Sequence, residues 1–168
     1  RTGASGESSF LRAGIDVEIR EGTSTAITGP NGSGKTTLGL TLAGLLPPVA
    51  GAVTASDTLR NGAGEHPIRW KSRELLTRIG TVFQVPEHQF LRSTVKDELA
   101  VGPLALRLPE VEISARVDEL LQRLRLDQLA DANPFTLSGG EKRRLSVATI
   151  LAAEPRVLVL DEPTFGQD

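Results

Sequence analysis

The chain has 168 residues, 39% of them hydrophobic, with a net charge of −2, a length that suits one domain burying about two thirds of its surface. The near-neutral balance leaves no electrostatic footprint for nucleic acid, and the lack of cysteine excludes disulfides, thiolate metal sites and cysteine nucleophiles. No stretch approaches the roughly 18 uninterrupted apolar residues of a membrane span, and a chain that starts at Arg1 and has no methionine is expected to be a piece of a longer protein, so the lack of a signal peptide in it does not exclude targeting signals.

Residues 1–9 are small and polar and read as a loose lead-in. Ile15-Asp16-Val17-Glu18-Ile19 alternates apolar and polar, which predicts a half-buried antiparallel strand. Glu21-Gly22 then turns the chain into a strand over residues 23–28, and a helix is expected over residues 36–46, ended by Pro47-Pro48. Between them lies Gly29-Pro30-Asn31-Gly32-Ser33-Gly34-Lys35-Thr36, which is G-x-x-x-x-G-K-[ST], a phosphate-binding loop. The glycines allow positive φ, so successive N–H groups can turn inward as an anion nest. Lys35 can reach the β- and γ-phosphates, the Thr36 hydroxyl can ligate Mg²⁺, and the helix start adds its dipole.

Residues 51–59 suggest a short strand or hairpin, and Asn61-Gly62 a turn. His66 reads as a solvated loop histidine and Trp70 as a packing residue. A short helix is expected over residues 72–78 and a buried strand over residues 79–84, ending in Gln84. Pro86 holds residues 85–90 as a loop. Thr94 caps a helix through Val101 with Asp97 and Glu98 in its first turn, and Ile113, Val117, Leu120, Leu121 and Leu124 mark an amphipathic helix. Residues 90–136 show no strand pattern and read as a helical insertion. Lys142-Arg143-Arg144, the longest basic run, reads as a solvated helix face.

Leu137-Ser138-Gly139-Gly140-Glu141 opens a helix running to about residue 153, with Ser138 and Glu141 at capping-box spacing. Its start is a second candidate anion site, since the Ser138 hydroxyl can both accept from its own backbone and donate to a phosphate; the same residues would also serve as a plain cap. Val157-Leu158-Val159-Leu160 is the pattern of a parallel strand buried on both faces. Asp161-Glu162 stands at its carboxyl end, where open α/β sheets bind ligands. Asp161 can hold Mg²⁺ there and Glu162 can polarise an attacking water, or the two acids merely end a strand.

Together these stretches resemble the ATP-binding domains of ABC transporters over nearly the whole chain. Residues 29–36 look like Walker A, Gln84 like the Q-loop glutamine, Leu137 to Glu141 like the LSGGQ signature, and Val157 to Glu162 like Walker B with its catalytic glutamate. Residues 163–168, from Pro163 to Asp168, resemble the start of the D-loop. The segments Val82-Phe83-Gln84-Val85-Pro86-Glu87-His88-Gln89-Phe90 and Thr94-Val95-Lys96-Asp97-Glu98, with Gly102, resemble the energy-coupling factor subfamily, which drives uptake of vitamins and of cobalt or nickel ions; the ending Phe165-Gly166-Gln167-Asp168 also occurs there, including in members linked to thiamine precursors.

The resemblance implies an α/β P-loop NTPase core with a mostly parallel sheet, an N-terminal antiparallel β part and an inserted α-helical subdomain. One incomplete domain over residues 1–168 would divide into a core part (10–89), a helical subdomain (90–136) and a signature helix with the Walker B strand (137–168). Two such domains, identical or not, would pair head to tail. Gly29, Pro30, Asn31, Gly32, Ser33, Gly34, Lys35, Thr36 and Thr37 of one would hold ATP against Ser138, Gly139 and Gly140 of the other, with Asp168 near the nucleotide. Thr36, Gln84 and Asp161 would serve Mg²⁺, and Glu162, Gln84 and Lys35 would carry hydrolysis. The loop from Gln84 to Phe90 and the helical subdomain would engage an integral membrane subunit, placing the protein peripherally on the cytoplasmic face of the cell membrane. No nucleic-acid partner is expected.

Three departures accompany the resemblance. Glu141 stands where the family has glutamine, which the capping box tolerates. Phe10 is too close to the phosphate loop to be the adenine-stacking aromatic, which is expected before Arg1. The switch histidine is expected after Asp168, and His88 cannot replace it, so this stretch alone is expected to bind ATP and hydrolyse it poorly. Two competing readings are a soluble ABC ATPase and an ATP-gated dimerisation module without turnover.

Overall fold

The computed structural model describes residues 14–162; the readings placed on Phe10 and on residues 163–168, Asp168 among them, lie outside the described residues. The chain divides into two compact units, the boundary falling between Lys35 and Thr36.

In the first unit, residues 20–23 form the expected turn: Gly22 takes φ 73° and Arg20 O accepts from both Thr23 N (3.2 Å) and Thr23 Oγ1 (2.6 Å). The two strands expected at residues 15–19 and 23–28 do not form. Ile15, Val17 and Ile19 are 53%, 51% and 46% exposed. Alternation is only a capacity for pairing; it becomes a strand when a neighbour takes up the backbone N–H and C=O groups and covers the apolar side, and no strand of the described residues does so here.

The second unit starts at Thr36, within the first turn of α1 (Lys35–Leu42), a helix shorter than expected because the chain leaves it through Gly44 at φ 73°. Helix α2 (Asp57–Arg60) replaces the strand or hairpin expected at residues 51–59. Ser56 is a strong N-cap, its hydroxyl accepting from Leu59 N at 3.3 Å, and Asp57 suits the first turn. Only Ala55 N to Glu65 O, 2.8 Å, remains of a hairpin. His66 is half-buried rather than solvated, with Nδ1 3.1 Å from Val53 O. Trp70 packs as expected: it is buried, donates Nε1–H to Gly64 O at 2.6 Å, and carries the Arg78 guanidinium 5.4 Å from its ring centre.

Helix α3 (Ser72–Leu76) leads into β1 (Ile79–Val82), which is buried throughout. A 3-10 turn (Pro86–Gln89) follows, with proline at its first position, where no N–H is needed. Helix α4 (Val95–Ala105) starts at the expected cap, Thr94, and α5 (Glu110–Arg123) turns Val117, Leu120 and Leu121 inward. Helix α6 (Gly139–Leu151) then runs back to β2 (Val157–Leu160).

β1 and β2 pair in parallel, Ile79 opposite Val157 through Val82 opposite Leu160. β2 was expected to be buried on both faces, yet Leu158 and Leu160 are 45% and 46% exposed. Val157 and Val159 pack with the core of Ala43, Trp70 and Ile79, and Gly39 of α1 closes on Val159, while the face that carries Leu158 and Leu160 is only partly covered. A larger core joins Val95 and Leu99 of α4, Val117, Leu120 and Leu121 of α5, and Leu145, Ala148 and Ala152 of or just after α6. Helix α6 therefore belongs to the helical part and to the sheet alike. Gly80 permits this, because a Cβ there would run into Ile150 and stand 2.8 Å from Pro155 Cγ. No helix among the described residues is long and apolar enough to cross a membrane.

Candidate functional site

The phosphate loop of the first unit is built by backbone conformation. Gly32 and Gly34 adopt φ 79° and 90°, which residues with a side chain rarely take. Ser33 N donates to Pro30 O at 3.2 Å, closing the turn around Asn31 and Gly32. Lys35 Nζ folds back onto the carbonyls of Gly29 and Pro30, 3.0 Å from each. These are weak neutral acceptors, so a phosphate oxygen can take the ammonium from them.

The second unit supplies four side chains in two pairs. Thr36, on the first turn of α1, donates its hydroxyl to Asp161, 2.9 Å from Oδ2 and 3.1 Å from Oδ1. Gln84 Nε2 donates to Glu162 Oε2 at 2.7 Å. The second pair follows from the strand register. Val82 opposes Leu160 and Asp161 N continues the ladder onto Val82 O at 3.0 Å, so Gln84 and Glu162 leave adjacent parallel strands side by side. Glu162 is also in the left-handed region, φ 46°, which turns the chain at the strand end. A hydroxyl beside a carboxylate is a hard oxygen set that fits Mg²⁺, an ion held by few protein ligands plus phosphate. Thr37 is exposed on α1, its carbonyl taken by the Thr41 hydroxyl at 2.8 Å.

The capping box expected at the start of α6 is formed. Ser138 N donates to Glu141 Oε2 at 2.8 Å and Glu141 N to Ser138 Oγ at 3.4 Å. The Ser138 hydroxyl hydrogen also goes to Glu141 Oε2, at 2.7 Å, because an ionised carboxylate is the strongest acceptor in reach. The Ser138 hydroxyl and then its backbone N–H hold the Glu141 carboxyl below its ordinary value. Gly139 is exposed and Gly140 half-buried beside this cap. No hydrogen bond among the described residues joins Ser138, Gly139 or Gly140 to Thr36, Gln84, Asp161 or Glu162.

The basic run read as a solvated face is not one. Arg143 is 4% exposed and donates to three carbonyls: Phe83 O at 2.6 Å, Asp161 O at 3.0 Å and Glu162 O at 3.0 Å. Lys142 Nζ pairs with Glu87 Oε1 at 3.0 Å, and Arg144 Nε donates to Leu124 O at 3.0 Å. The Ser146 hydroxyl donates to Gln89 Oε1, and Gln89 Nε2 to Thr81 O at 2.9 Å. The signal was present in the helix itself. Apolar residues (Leu145, Val147, Ala148, Ile150, Leu151) occupy more than half of its circumference and leave no wide polar side, so the helix is covered from more than one direction and its basic residues must find acceptors.

The family model described as ABC transporter matches residues 13–165. YkoD of Bacillus subtilis, provisionally described as an HMP/thiamine import ATP-binding protein, is 48% identical over 92% of this chain and 26% of its own length. The energy-coupling factor transporter ATP-binding proteins EcfA1 of Halalkalibacterium halodurans and EcfA of Methanothermobacter thermautotrophicus are 43% and 40% identical, again over 92% of this chain, and over 53% and 48% of their own lengths. The chain thus spans between a quarter and about half of these relatives. Among solved structures, cbiO1 of Clostridium perfringens, described as part of the ABC transporter complex cbiONQ, superposes with a TM-score of 0.74 at 37% identity, over 92% of this chain and 60% of that one. A dimeric ATP-binding cassette in a post-hydrolysis state with ADP and Pi superposes at 0.76, with 27% identity, over 92% and 66%. The ordered phosphate loop, the two side-chain pairs at adjacent strand ends and the capped glycine pair thus sit in a P-loop NTPase fold, and the chain belongs to the ABC transporter family of ATP-binding domains.

Proposed function

We propose that the chain is an ATP-binding and hydrolysing subunit or domain that powers an importer of the energy-coupling factor type. The observation that carries this is the juxtaposition at the two strand ends: Thr36 on Asp161 and Gln84 on Glu162. ATP would lie along Gly29 to Thr37, with Lys35 leaving the Gly29 and Pro30 carbonyls for the β- and γ-phosphates. Thr36 and Asp161 would hold Mg²⁺, with Gln84 beside them, and bound Mg²⁺ would neutralise charge on the transferred phosphoryl group. Glu162, held by Gln84, would orient and deprotonate the attacking water. Ser138, Gly139 and Gly140 of a second ATPase domain would close over the γ-phosphate, and the Ser138 hydroxyl would turn from Glu141 to do so. Asp168 is proposed near the nucleotide as well.

The proposed division is a core part over residues 10–89, a helical subdomain over 90–136 and the signature helix with Walker B over 137–168. The turn at Pro86–Gln89, tied to α6 through Glu87 and Gln89, would carry movement of α6 to a membrane subunit at the cytoplasmic face.

The full-length parent tests this. Lys35→Ala should weaken ATP binding, whereas Glu162→Gln should keep binding and lower the hydrolysis rate by about 10²–10⁴. Normal hydrolysis by a protein carrying both changes would refute the reading. ATP binding with no turnover in the unaltered parent would instead mark a nucleotide-gated pairing module. A soluble parent that co-purifies with ribosomes rather than with a membrane protein would refute the transport assignment alone.

A further inference from the structure

Arg143 is the most buried of the cations in α6, and its three acceptors lie on two separate loops. Phe83 O belongs to the residue before Gln84; Asp161 O and Glu162 O belong to the pair at the end of β2. All three are backbone atoms, so the guanidinium fixes main-chain position at both strand ends without competing for the Gln84, Asp161 or Glu162 side chains. Glu162 sits at φ 46°, a conformation that non-glycine residues hold only with outside support, and the bond from Arg143 to its carbonyl is such support. A planar fork with several N–H groups can serve three converging acceptors; a lysine ammonium on a shorter reach cannot match that geometry.

We propose that Arg143 is a positioning residue for ATP hydrolysis: it locks the Gln84 and Glu162 strand ends to the signature helix, so that the carboxylate and the helix start at Ser138 move as one body. Seating of Ser138 to Gly140 on nucleotide then sets the place of Glu162. This inference rests on the ATPase reading of the site. Lys142 and Ser146 on the same helix hold the Pro86–Gln89 turn instead, and lie outside the claim.

The test uses the full-length parent with Arg143→Lys and Arg143→Gln. The expected result is a kcat lowered about tenfold or more with KM for ATP within about twofold of wild type, the lysine variant retaining more activity than the glutamine one. In a Glu162→Gln background, Arg143→Lys should cost no further activity in single-turnover hydrolysis, because it acts through the group already removed. An unchanged kcat in a folded variant overturns the proposal, and so does an undiminished loss in the Glu162→Gln background. If neither variant folds, hydrogen exchange on the unaltered protein decides: residues 158–162 and 138–143 should gain protection at the same ATP concentration, and separate midpoints overturn the proposal. Wild-type turnover by Glu162→Gln would mean that the ATPase reading itself has failed, an outcome distinct from any result at Arg143.

Discussion

Gln84 and Glu162 face each other across 2.7 Å, amide to carboxylate, because Val82 and Leu160 are registered partners in the parallel pair β1 and β2. Each side chain leaves its strand at the carboxyl end, and neither could be placed without the other strand. The hydrogen bond aims the carboxylate at one side of the strand end. Gln84→Ala should free it and lower kcat for ATP about tenfold, the worth of one hydrogen bond to a charged group. Steady-state kinetics on the full-length protein checks this, and an unchanged kcat would detach Gln84 from the chemistry.

Thr36 and Asp161 form the other pair. Thr36→Val keeps the shape of the side chain and removes the hydroxyl, and should raise the Mg²⁺ concentration for half-maximal hydrolysis about tenfold. Thr36→Ser should stay within about twofold of wild type, since the same oxygen remains. Mg²⁺ titration of the two variants separates ligation from packing.

Glu87 pairs with Lys142 and thereby docks the Pro86–Gln89 turn on α6. Hydrogen bonding from the backbone of its own turn, then from Lys142, lowers the Glu87 pKa below its ordinary value. A lowered carboxylate pKa means that the contribution is complete above the ordinary glutamate value and lost as pH falls through the folded one. Docking of the turn should therefore be constant at neutral pH and weaken only in acid. Backbone amide shifts of residues 86–90 followed by NMR should titrate in that window, and Glu87→Gln should abolish the titration.

Glu98 is fully buried on α4 and accepts from Leu91 N and Arg92 N, both at 2.7 Å. Glu98→Ala leaves two N–H groups without their acceptor and should cost about 2–4 kcal/mol in urea unfolding. Glu98→Gln keeps an oxygen for both and should cost less than half as much. Equal losses would show that the bonds to Leu91 and Arg92 are not what Glu98 contributes.

Glu141 places a carboxylate at a helix start that is proposed to meet a nucleotide phosphate. Glu141→Gln keeps an acceptor for Ser138 N and removes the negative charge, so ATP-dependent pairing of the full-length protein should tighten roughly two- to fivefold. Sedimentation at graded ATP concentrations measures it; weaker pairing would mean that the cap needs the charge more than the phosphate suffers from it.

Much of this arrangement was legible in local sequence. The phosphate loop, the caps at Thr94 and Ser138, the amphipathic α5 and the strand residues at 79–82 and 157–160 each depend on spacing and residue type within a few positions, and those interactions are short-range. What spacing could not supply is a partner. The alternating stretch at residues 15–19 predicted a strand that no neighbour among the described residues completes, and four apolar residues in β2 predicted two buried faces where one is only partly covered. Lys142-Arg143-Arg144 was misread for the same reason: a cation's place depends on which carbonyls and carboxylates lie within reach, and these come from residues 83, 87, 161 and 162, far along the chain. Local sequence was thus enough for the turn of the phosphate loop, the caps and the strand residues, because backbone conformation and capping are settled by adjacent residues. Only the tertiary structure decided which motifs share a hydrogen bond, because that is settled by strand register and by the face that α6 turns toward the strand ends.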